Sequence, residues 1–351
     1  MNRRNFFSVA VAPAIHAASR SGKRLPILGS GNFTYEAIHD WGLLPGSIGL
    51  GNTHGVCQDR QGRIYVAHTV HASSQSNDTL LVFDPKGRFI RSWGSAFKGG
   101  AHGLHIQREG REEFLYFVDT GKGRKSGIDP NNTWLVKMTL LGEEVLRIGY
   151  PKESPHYKLG KDGRPATKYS PTNVAIAPNG DIYLADGYGS YFINQYDAKG
   201  NFIRSFGGNG KEPGQLSSPH GLILDNRRSS QTLLVADRTN NRLQRFSLDG
   251  QHIGFVEGVN YPCHLHEQKG VMVIPDLAAR VTLLGPDNRV IVHLGEDTTG
   301  DWQDLRKRPR EQFRPGKFVS PHGACFDRDG NIFVVEWVEV GRITKLRKVS
   351  G

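Results

Sequence analysis

The stretch PTNVAIAPNGDIYLAD, residues 171–186, decides the fold. It predicts two short apolar strands joined by a tight turn, because Asn-Gly is the favoured pair for a two-residue hairpin turn. The same order, often with His and Gly near its start, recurs in residues 53–68, 101–119, 219–237, 262–276 and 321–336. Self-similarity at this scale is the sequence signature of a repeat architecture.

Each copy is followed by a further strand pair around a Gly turn, as in FDPKGRFIRSWG at 83–94 and YDAKGNFIRSFG at 196–207. Four strands per copy and six copies predict an all-β, six-bladed propeller over residues 25–351. The last copy supplies only about three strands. We therefore expect residues 33–41, FTYEAIHDW, to close the ring as the outer strand of the sixth blade. Two sheets that pack without closing are the alternative.

Composition narrows the classes of function. The 351 residues have a mean hydropathy of -0.46 and contain no apolar run of the ~20 residues that a membrane span needs, so no span is predicted. The formal charge of +11 is concentrated in residues 1–24 and in a basic insertion at 300–317. The rest of the chain is nearly neutral, so no nucleic-acid partner is expected. The insertion is interpreted as solvated, with a contact surface as the alternative. We expect a monomer.

The first 24 residues begin MNRRNFFSVAVAPAIHAAS and resemble a twin-arginine export signal, with paired arginines, a short apolar run and then small residues. This pattern predicts a periplasmic or extracellular protein, and a basic tail is the alternative. Cys57, Cys263 and Cys325 stand at no metal-type spacing. They are interpreted as small buried residues, not as a disulfide framework or a cysteine zinc site.

One repeat position is rich in histidine. In a propeller the first strand of each blade lines the central channel, so side chains at one repeat position face one axis. Alternate blades place His102, His220 and His322 about 120° apart, which predicts a three-histidine zinc site with an open position. His54 and His264 are additional candidates for the channel, although His266 competes with His264 for that register. A water-filled polar channel that binds a ligand is the alternative.

Residues 171–207 and the stretch GQLSSPHGL at 214–222 resemble the NHL-repeat propellers, and among them the catalytic domain of peptidyl-α-hydroxyglycine α-amidating lyase. The similarity covers roughly residues 40 to 349. It implies a metal-dependent lyase that acts on a small molecule or a peptide end and yields an amide and glyoxylate. It also implies zinc on the three histidines above and a catalytic tyrosine at Tyr188, in a DGY motif.

Two departures from that family bear on the reaction. The family's catalytic arginine follows a histidine, whereas here His68 is followed by Thr69, which leaves His68 as the candidate catalytic residue at that place. An aspartate follows the family's last zinc histidine and helps to hold calcium. Gly323 stands there in this chain, so a structural calcium ion is doubtful. Two alternatives stay open. One is a non-enzymatic NHL-type binding module. The other is a sugar-lactone hydrolase, which the imidazole-rich register disfavours because calcium prefers oxygen ligands.

Overall fold

A computed structural model describes residues 24–121, 132–228 and 230–349. Within these ranges the chain forms six small antiparallel sheets in a ring, which confirms the predicted all-β, six-bladed propeller. No helix in the described part of the chain is long and apolar enough to cross a membrane. The predicted export signal lies outside the described residues except for Arg24, so export stays a prediction, as does the monomeric state.

The strands follow one another around the ring. The chain begins with β1 (Ile27–Leu28) and β2 (Tyr35–His39). Blade one contains β3 (Thr53–Gln58), β4 (Ile64–His68), β5 (Leu80–Phe83) and β6 (Phe89–Trp93). Blade two contains β7 (Ala101–Glu109), β8 (Glu112–Asp119), β9 (Trp134–Thr139) and β10 (Glu144–Ile148). Blade three contains β11 (Asn173–Ile176), β12 (Ile182–Ala185), β13 (Phe192–Tyr196) and β14 (Phe202–Gly207).

The second half of the ring repeats this plan. Blade four contains β15 (Pro219–Asp225), β16 (Thr232–Asp237), β17 (Arg242–Phe246) and β18 (His252–Val256). Blade five contains β19 (His266–Gln268), β20 (Val271–Asp276), β21 (Arg280–Leu284) and β22 (Val290–Leu294). Blade six contains β23 (Pro321–Phe326), β24 (Ile332–Glu336) and β25 (Arg342–Lys348). Its fourth strand is β2.

The ring closes through the amino-terminal segment, as the sequence predicts. β2 pairs antiparallel with β25, with Tyr35 opposite Lys348 and His39 opposite Thr344. β1 adds a fifth strand by pairing with β2, so the sheet of blade six contains both ends of the described chain. This pairing covers the edge of β25, which would otherwise expose a row of unpaired backbone groups.

The hydrophobic core lies between adjacent blades. One cluster joins Tyr65 and Val82 of blade one to Leu104 and Phe117 of blade two, and all four side chains are buried. Comparable clusters join the other neighbouring blades, for example blades five and six. The middle strands are apolar on both faces, as in LLVF of β5, because each blade is covered by a neighbour on either side.

The basic insertion is held against the propeller. It contains a one-turn helix, α1 (Trp302–Leu305), and a 3-10 turn at Arg310–Gln312. Arg314 forms an ion pair with Asp297 at 2.6 Å, and Lys317 donates to the carbonyl of Glu296 at 2.8 Å. Arg310 pairs with Asp40. Much of the positive charge predicted to be solvated therefore fastens the insertion to blades five and six.

Candidate metal and active site

Four inner strands carry a histidine at a β-bulge. The ladders of β3, β7, β15 and β23 shift register at the positions occupied by His54, His102, His220 and His322. We call these four side chains the axial histidines. Blade three has no such shift, since Asn173 pairs regularly with Ala185. A bulge re-aims a side chain out of the ordinary pleat, which lets an inner strand direct its imidazole toward its neighbours.

A glycine follows each axial histidine, and close packing between neighbouring inner strands explains why. A Cβ atom at Gly221 would lie 2.7 Å from the carbonyl oxygen of Cys263, closer than packed atoms allow. The absence of a side chain lets the inner strands of blades four and five approach each other. The same carbonyl accepts a hydrogen bond from Nδ1 of His220 at 2.8 Å. The glycine therefore admits the acceptor that orients the preceding histidine.

This arrangement repeats around the channel. Nδ1 of His102 donates to the carbonyl of Thr172 at 2.7 Å, and Nδ1 of His322 donates to the carbonyl of His54 at 3.0 Å. A carbonyl oxygen can only accept, so Nδ1 carries the proton in each ring and Nε2 keeps its lone pair. Backbone carbonyls commonly fix the tautomer of metal-binding histidines in this way.

The axial histidines contact one another. The ring centroids of His102, His220 and His322 lie 4.7–4.8 Å apart in every pair. His54 joins them, with its centroid 4.6 Å from that of His102 and 4.5 Å from that of His322. The predicted trio is thus brought together along with the additional candidate His54.

The remaining channel candidate, His264, has other neighbours. Its Nδ1 donates to the carbonyl of Ala324 at 3.0 Å. Burial, with a smaller contribution from His105, lowers its pKa to about 4. Among the described residues, no ring contact connects His264 to the axial histidines. The shorter copy in blade five therefore places this histidine apart from the cluster.

Tyr188 lies beside two of the axial histidines, His102 and His220. Its hydroxyl is 3.1 Å from Nε2 of His102 and 3.0 Å from Nε2 of His220. The turn that presents it is fixed by Asp186, whose carboxylate accepts from the backbone N–H groups of Ser170 and Ser190 at 2.7 and 2.6 Å. The DGY motif therefore aims a phenol at two unprotonated imidazole nitrogens.

Arg238 is the cation beside this phenol. Its Nη1 lies 3.5 Å from the Tyr188 hydroxyl, its guanidinium carbon lies 5.3 Å from the ring centroid, and its Nη2 donates to Ser218 at 2.8 Å. Burial raises the pKa of Tyr188, and the charge of Arg238 opposes that rise. Burial, followed by Arg238 and the neighbouring histidines, holds the pKa of His220 well below its usual range. His220 is therefore neutral at physiological pH.

A second set of buried polar side chains lies at the ends of the second strands of the blades. We call this set the second-strand ring. All six members are fully buried: His68, Asp119, Asp186, Asp237, Asp276 and Glu336. Three of the acidic members accept backbone N–H groups just ahead of the inner strands: Asp186 from Ser170 at 2.7 Å, Asp237 from Ser217 at 2.7 Å and Glu336 from Val319 at 2.8 Å.

His68 occupies the blade-one position of this second-strand ring. Its Nδ1 accepts from the backbone N–H groups of Gly51 and Val70, both at 3.2 Å. Its Nε2 is buried without a hydrogen-bond partner, and burial lowers its pKa to about 4. No hydrogen bond or ring contact connects His68 to the axial histidines within the described residues. In the other five blades this repeat position holds a carboxylate. In blade one it holds His68, the candidate catalytic residue, which binds backbone N–H groups in the same way.

Two groups of donor atoms each lie within a mutual distance of 4.8 Å. One comprises His54, His102 and His322, and the other comprises His220, Cys263 and His322. All five side chains are buried. Neutral imidazoles and a thiol suit zinc and other borderline or soft metals, whereas calcium requires several oxygen ligands. The histidine and cysteine cluster therefore has the donor set for a transition metal.

Sequence reasoning missed two members of this site. Arg238 stands in VADRTNNRLQRF, a stretch that identifies blade architecture only, and its approach to Tyr188 depends on how blades three and four meet. Cys263 was interpreted as a small buried residue, and its burial is confirmed, but its sulfur lies beside two histidines. The single signal was its position next to His264, just ahead of the inner strand β19.

A cavity of about 310 Å³ opens beside the cluster. Its lining includes Tyr188, Arg238 and His322, together with three further aromatic rings, those of Tyr261, Trp302 and Trp337. The cavity gives a small molecule access to the tyrosine, the arginine and one axial histidine. It has a size typical of small-ligand pockets, which span roughly 300–1,000 Å³.

Curated proteins with similar sequences include amidating enzymes. Peptidylglycine alpha-amidating monooxygenase of Rattus norvegicus is 26% identical over 340 residues, covering 87% of this chain and 31% of the rat protein. A probable peptidyl-alpha-hydroxyglycine alpha-amidating lyase of Caenorhabditis elegans is 29% identical over 206 residues, covering 56% of this chain and 53% of that protein. This chain is an NHL-like propeller that resembles the amidating lyase. It spans about a third of the length of the rat protein, and no known family profile matches it.

Solved structures show the same fold in proteins of different activity. A virginiamycin B lyase from Staphylococcus aureus superposes with a TM-score of 0.55 at 14% identity, covering 90% of this chain and all of that chain. A gluconolactonase from Xanthomonas campestris superposes with a TM-score of 0.57 at 10% identity, covering 92% of this chain and 95% of that chain. At these identities the likeness concerns the fold alone, so function must be argued from the site.

Proposed function

We propose that this chain is a zinc-dependent lyase that cleaves N-acyl-α-hydroxyglycine groups, such as those at peptide ends, into an amide and glyoxylate. The observation that carries the proposal is the position of the Tyr188 hydroxyl, 3.1 and 3.0 Å from the unprotonated Nε2 atoms of His102 and His220. Similarity to amidating lyases supports the choice of reaction.

The axial histidines would hold the zinc ion. His102, His220 and His322 would be the three ligands, since each offers an Nε2 atom on a ring already oriented by a carbonyl acceptor. When bound, zinc supplies a Lewis acid that lowers the free energy of negative charge on a substrate oxygen. Three imidazoles leave room for that oxygen.

The chain's own groups account for the proton transfers. Tyr188 Oη, in its phenolate form, is placed to take the proton from the α-hydroxyl group of the substrate. The carbon–oxygen double bond of glyoxylate then forms while the carbon–nitrogen bond breaks, and the amide nitrogen takes up the proton that Tyr188 held. No water, oxidant or further reactant is consumed, since the two products contain every atom of the substrate.

Arg238 supports the phenolate and offers a partner for a carboxylate. Its positive charge opposes the rise that burial imposes on the pKa of Tyr188. Its bond to Ser218 holds the guanidinium beside the cavity, where the remaining N–H groups can pair with an acid. We propose that Arg238 takes part of the role of the arginine that the lyase resemblance places after His68 and that this chain replaces with Thr69.

The test is glyoxylate release from N-benzoyl-α-hydroxyglycine by purified zinc-loaded protein. We expect Tyr188→Phe to lower kcat by about 10²- to 10⁴-fold, the usual contribution of a positioned acid–base group, while zinc stays bound. Tyr183→Phe is the matched control, because its hydroxyl donates to the carbonyl of Leu248 and the residue lines neither the cavity nor the histidine cluster.

Other results would assign another function. Hydrolysis of a sugar lactone without glyoxylate release would favour the lactonase, and absence of both activities in zinc-loaded protein would leave the binding module. Equal activity of Tyr188→Phe and the native chain would remove Tyr188 from the reaction.

A further inference from the structure

The walls of the cavity beside the cluster differ in character. Tyr188, Arg238 and His322 supply polar and charged groups on the channel side. The rings of Tyr261, Trp302 and Trp337 supply an aromatic wall, and each ring is half-buried with a face or edge still accessible. A ligand that satisfies both walls combines an acid with an aromatic or bulky apolar group.

The basic insertion contributes one of the three rings of the aromatic wall, that of Trp302. Trp302 is the first residue of α1, and its ring centroid lies 5.6 Å from that of Tyr261 at a tilt of 49°. Leu305, on the same turn, is buried in a cluster with Ala279, Val319 and Val338. The helix is therefore anchored by packing, and the Trp302 ring is set in place before any ligand binds.

Trp337 is fixed from a different direction. The guanidinium of Arg306 stacks on its ring, with the guanidinium carbon 3.4 Å from the centroid. The same guanidinium donates to the carbonyl of Trp337 at 2.8 Å and to the side chain of Asn52 at 3.1 Å. Because the guanidinium stacked on the ring is itself held by two hydrogen bonds, the Trp337 ring should lose little conformational entropy when a ligand contacts it.

We propose that this aromatic wall is a specificity pocket for the acyl group of the substrate, and that it selects N-acyl-α-hydroxyglycines whose acyl part carries an aromatic or large apolar group. The inference rests on the proposed function for the identity of the acid end, which Arg238 would bind. The aromatic ring of such a substrate would contact Trp302 and Trp337 while its carboxylate pairs with Arg238. Edge or face contacts with two indoles favour such a ligand over one that ends in a methyl group.

Equilibrium binding to metal-free protein tests the pocket without relying on catalysis. N-benzoylglycine and N-acetylglycine resemble the proposed substrate but lack its hydroxyl group, and they differ only in phenyl against methyl. Isothermal titration should show N-benzoylglycine binding about tenfold more tightly to the native chain. Trp302→Ala should abolish this preference by weakening N-benzoylglycine alone, and Trp302→Phe should restore most of it.

The two proposals fail in different ways. Equal affinities for the two acids in the native chain would overturn the pocket, as would a preference that survives Trp302→Ala in a variant with a native circular dichroism spectrum. A preserved preference in a protein that releases no glyoxylate would overturn the lyase reaction and leave the pocket intact.

Discussion

The axial histidines and the second-strand ring are both buried, polar and set by the repeat, yet they differ in what their polar atoms face. In the second-strand ring the oxygens of a carboxylate such as Glu336 accept hydrogen bonds from backbone N–H groups and from Arg342. Among the axial histidines, His102, His220 and His322 each donate Nδ1–H to a backbone carbonyl, which leaves Nε2 free of the backbone. The comparison teaches that burial and repeat register do not identify a site, whereas the direction of the remaining lone pairs does.

The largest expected effect is on zinc affinity, which should fall when His322 is replaced but not when His264 is replaced. His322 belongs to both groups of donor atoms, so His322→Ala should weaken zinc binding more than 100-fold, beyond the usual effect of a mutation outside the ligand set. His264→Ala should leave the zinc affinity unchanged, because that ring contacts a carbonyl of blade six. Competition with a chromophoric chelator measures both variants. Equal losses of zinc affinity in the two variants would show that His264 also belongs to the metal site.

A smaller effect should follow from moving the carbonyl behind one histidine. The Cβ of Gly221→Ala would lie 2.7 Å from the carbonyl of Cys263, which accepts from His220, so the inner strands must separate. We expect about a 10- to 100-fold loss of zinc affinity, the range for a residue that orients a ligand. Gly254→Ala is the control, since its Cβ would meet no atom within 4 Å. Unchanged affinity in Gly221→Ala would show that this acceptor is dispensable.

The smallest expected effect concerns His68 and depends on pH. Its pKa is about 4 in the folded chain, below the ordinary 6.5, so between these values the unfolded chain binds a proton that the folded chain does not. Acidification from pH 6.5 toward 4 therefore costs the native chain up to about 1.4 kcal/mol per pH unit. His68→Gln removes this cost, so its deficit in stability relative to the native chain should shrink as the pH falls.

Urea unfolding of metal-free protein at pH 7, 6 and 5 measures that difference in stability. A constant deficit at all three values would show that His68 is not held neutral by burial. A loss of kcat in His68→Gln at native stability would return His68 to the catalytic role that the sequence predicts.

Much of the fold and part of the site could be predicted from the sequence. Turn residues and apolar runs are local signals, so six copies and the closing strand β2 were accessible without coordinates. Repeat register also brought His102, His220 and His322 together. It could not place His264, because blade five has a shorter copy whose first paired strand residue is His266.

The remaining features depend on contacts between blades. The neighbours of Arg238 and Cys263 come from adjacent inner strands, and no spacing within one copy encodes that distance. The insertion was interpreted as solvated because it is rich in charge. A single turn of helix, anchored by Leu305, nevertheless carries Trp302 to the cavity.

The pairing of β2 with β25 also governs when the site can come into being. Tyr35 and Lys348 are joined across nearly the full described sequence, so the last blade cannot be completed until the final strand has left the ribosome. The axial histidines come from residues 54 to 322, so they cannot all gather before blade six has been synthesised. The proposed metal site therefore needs contacts between residues far apart in sequence, which form slowly because loop closure costs entropy first.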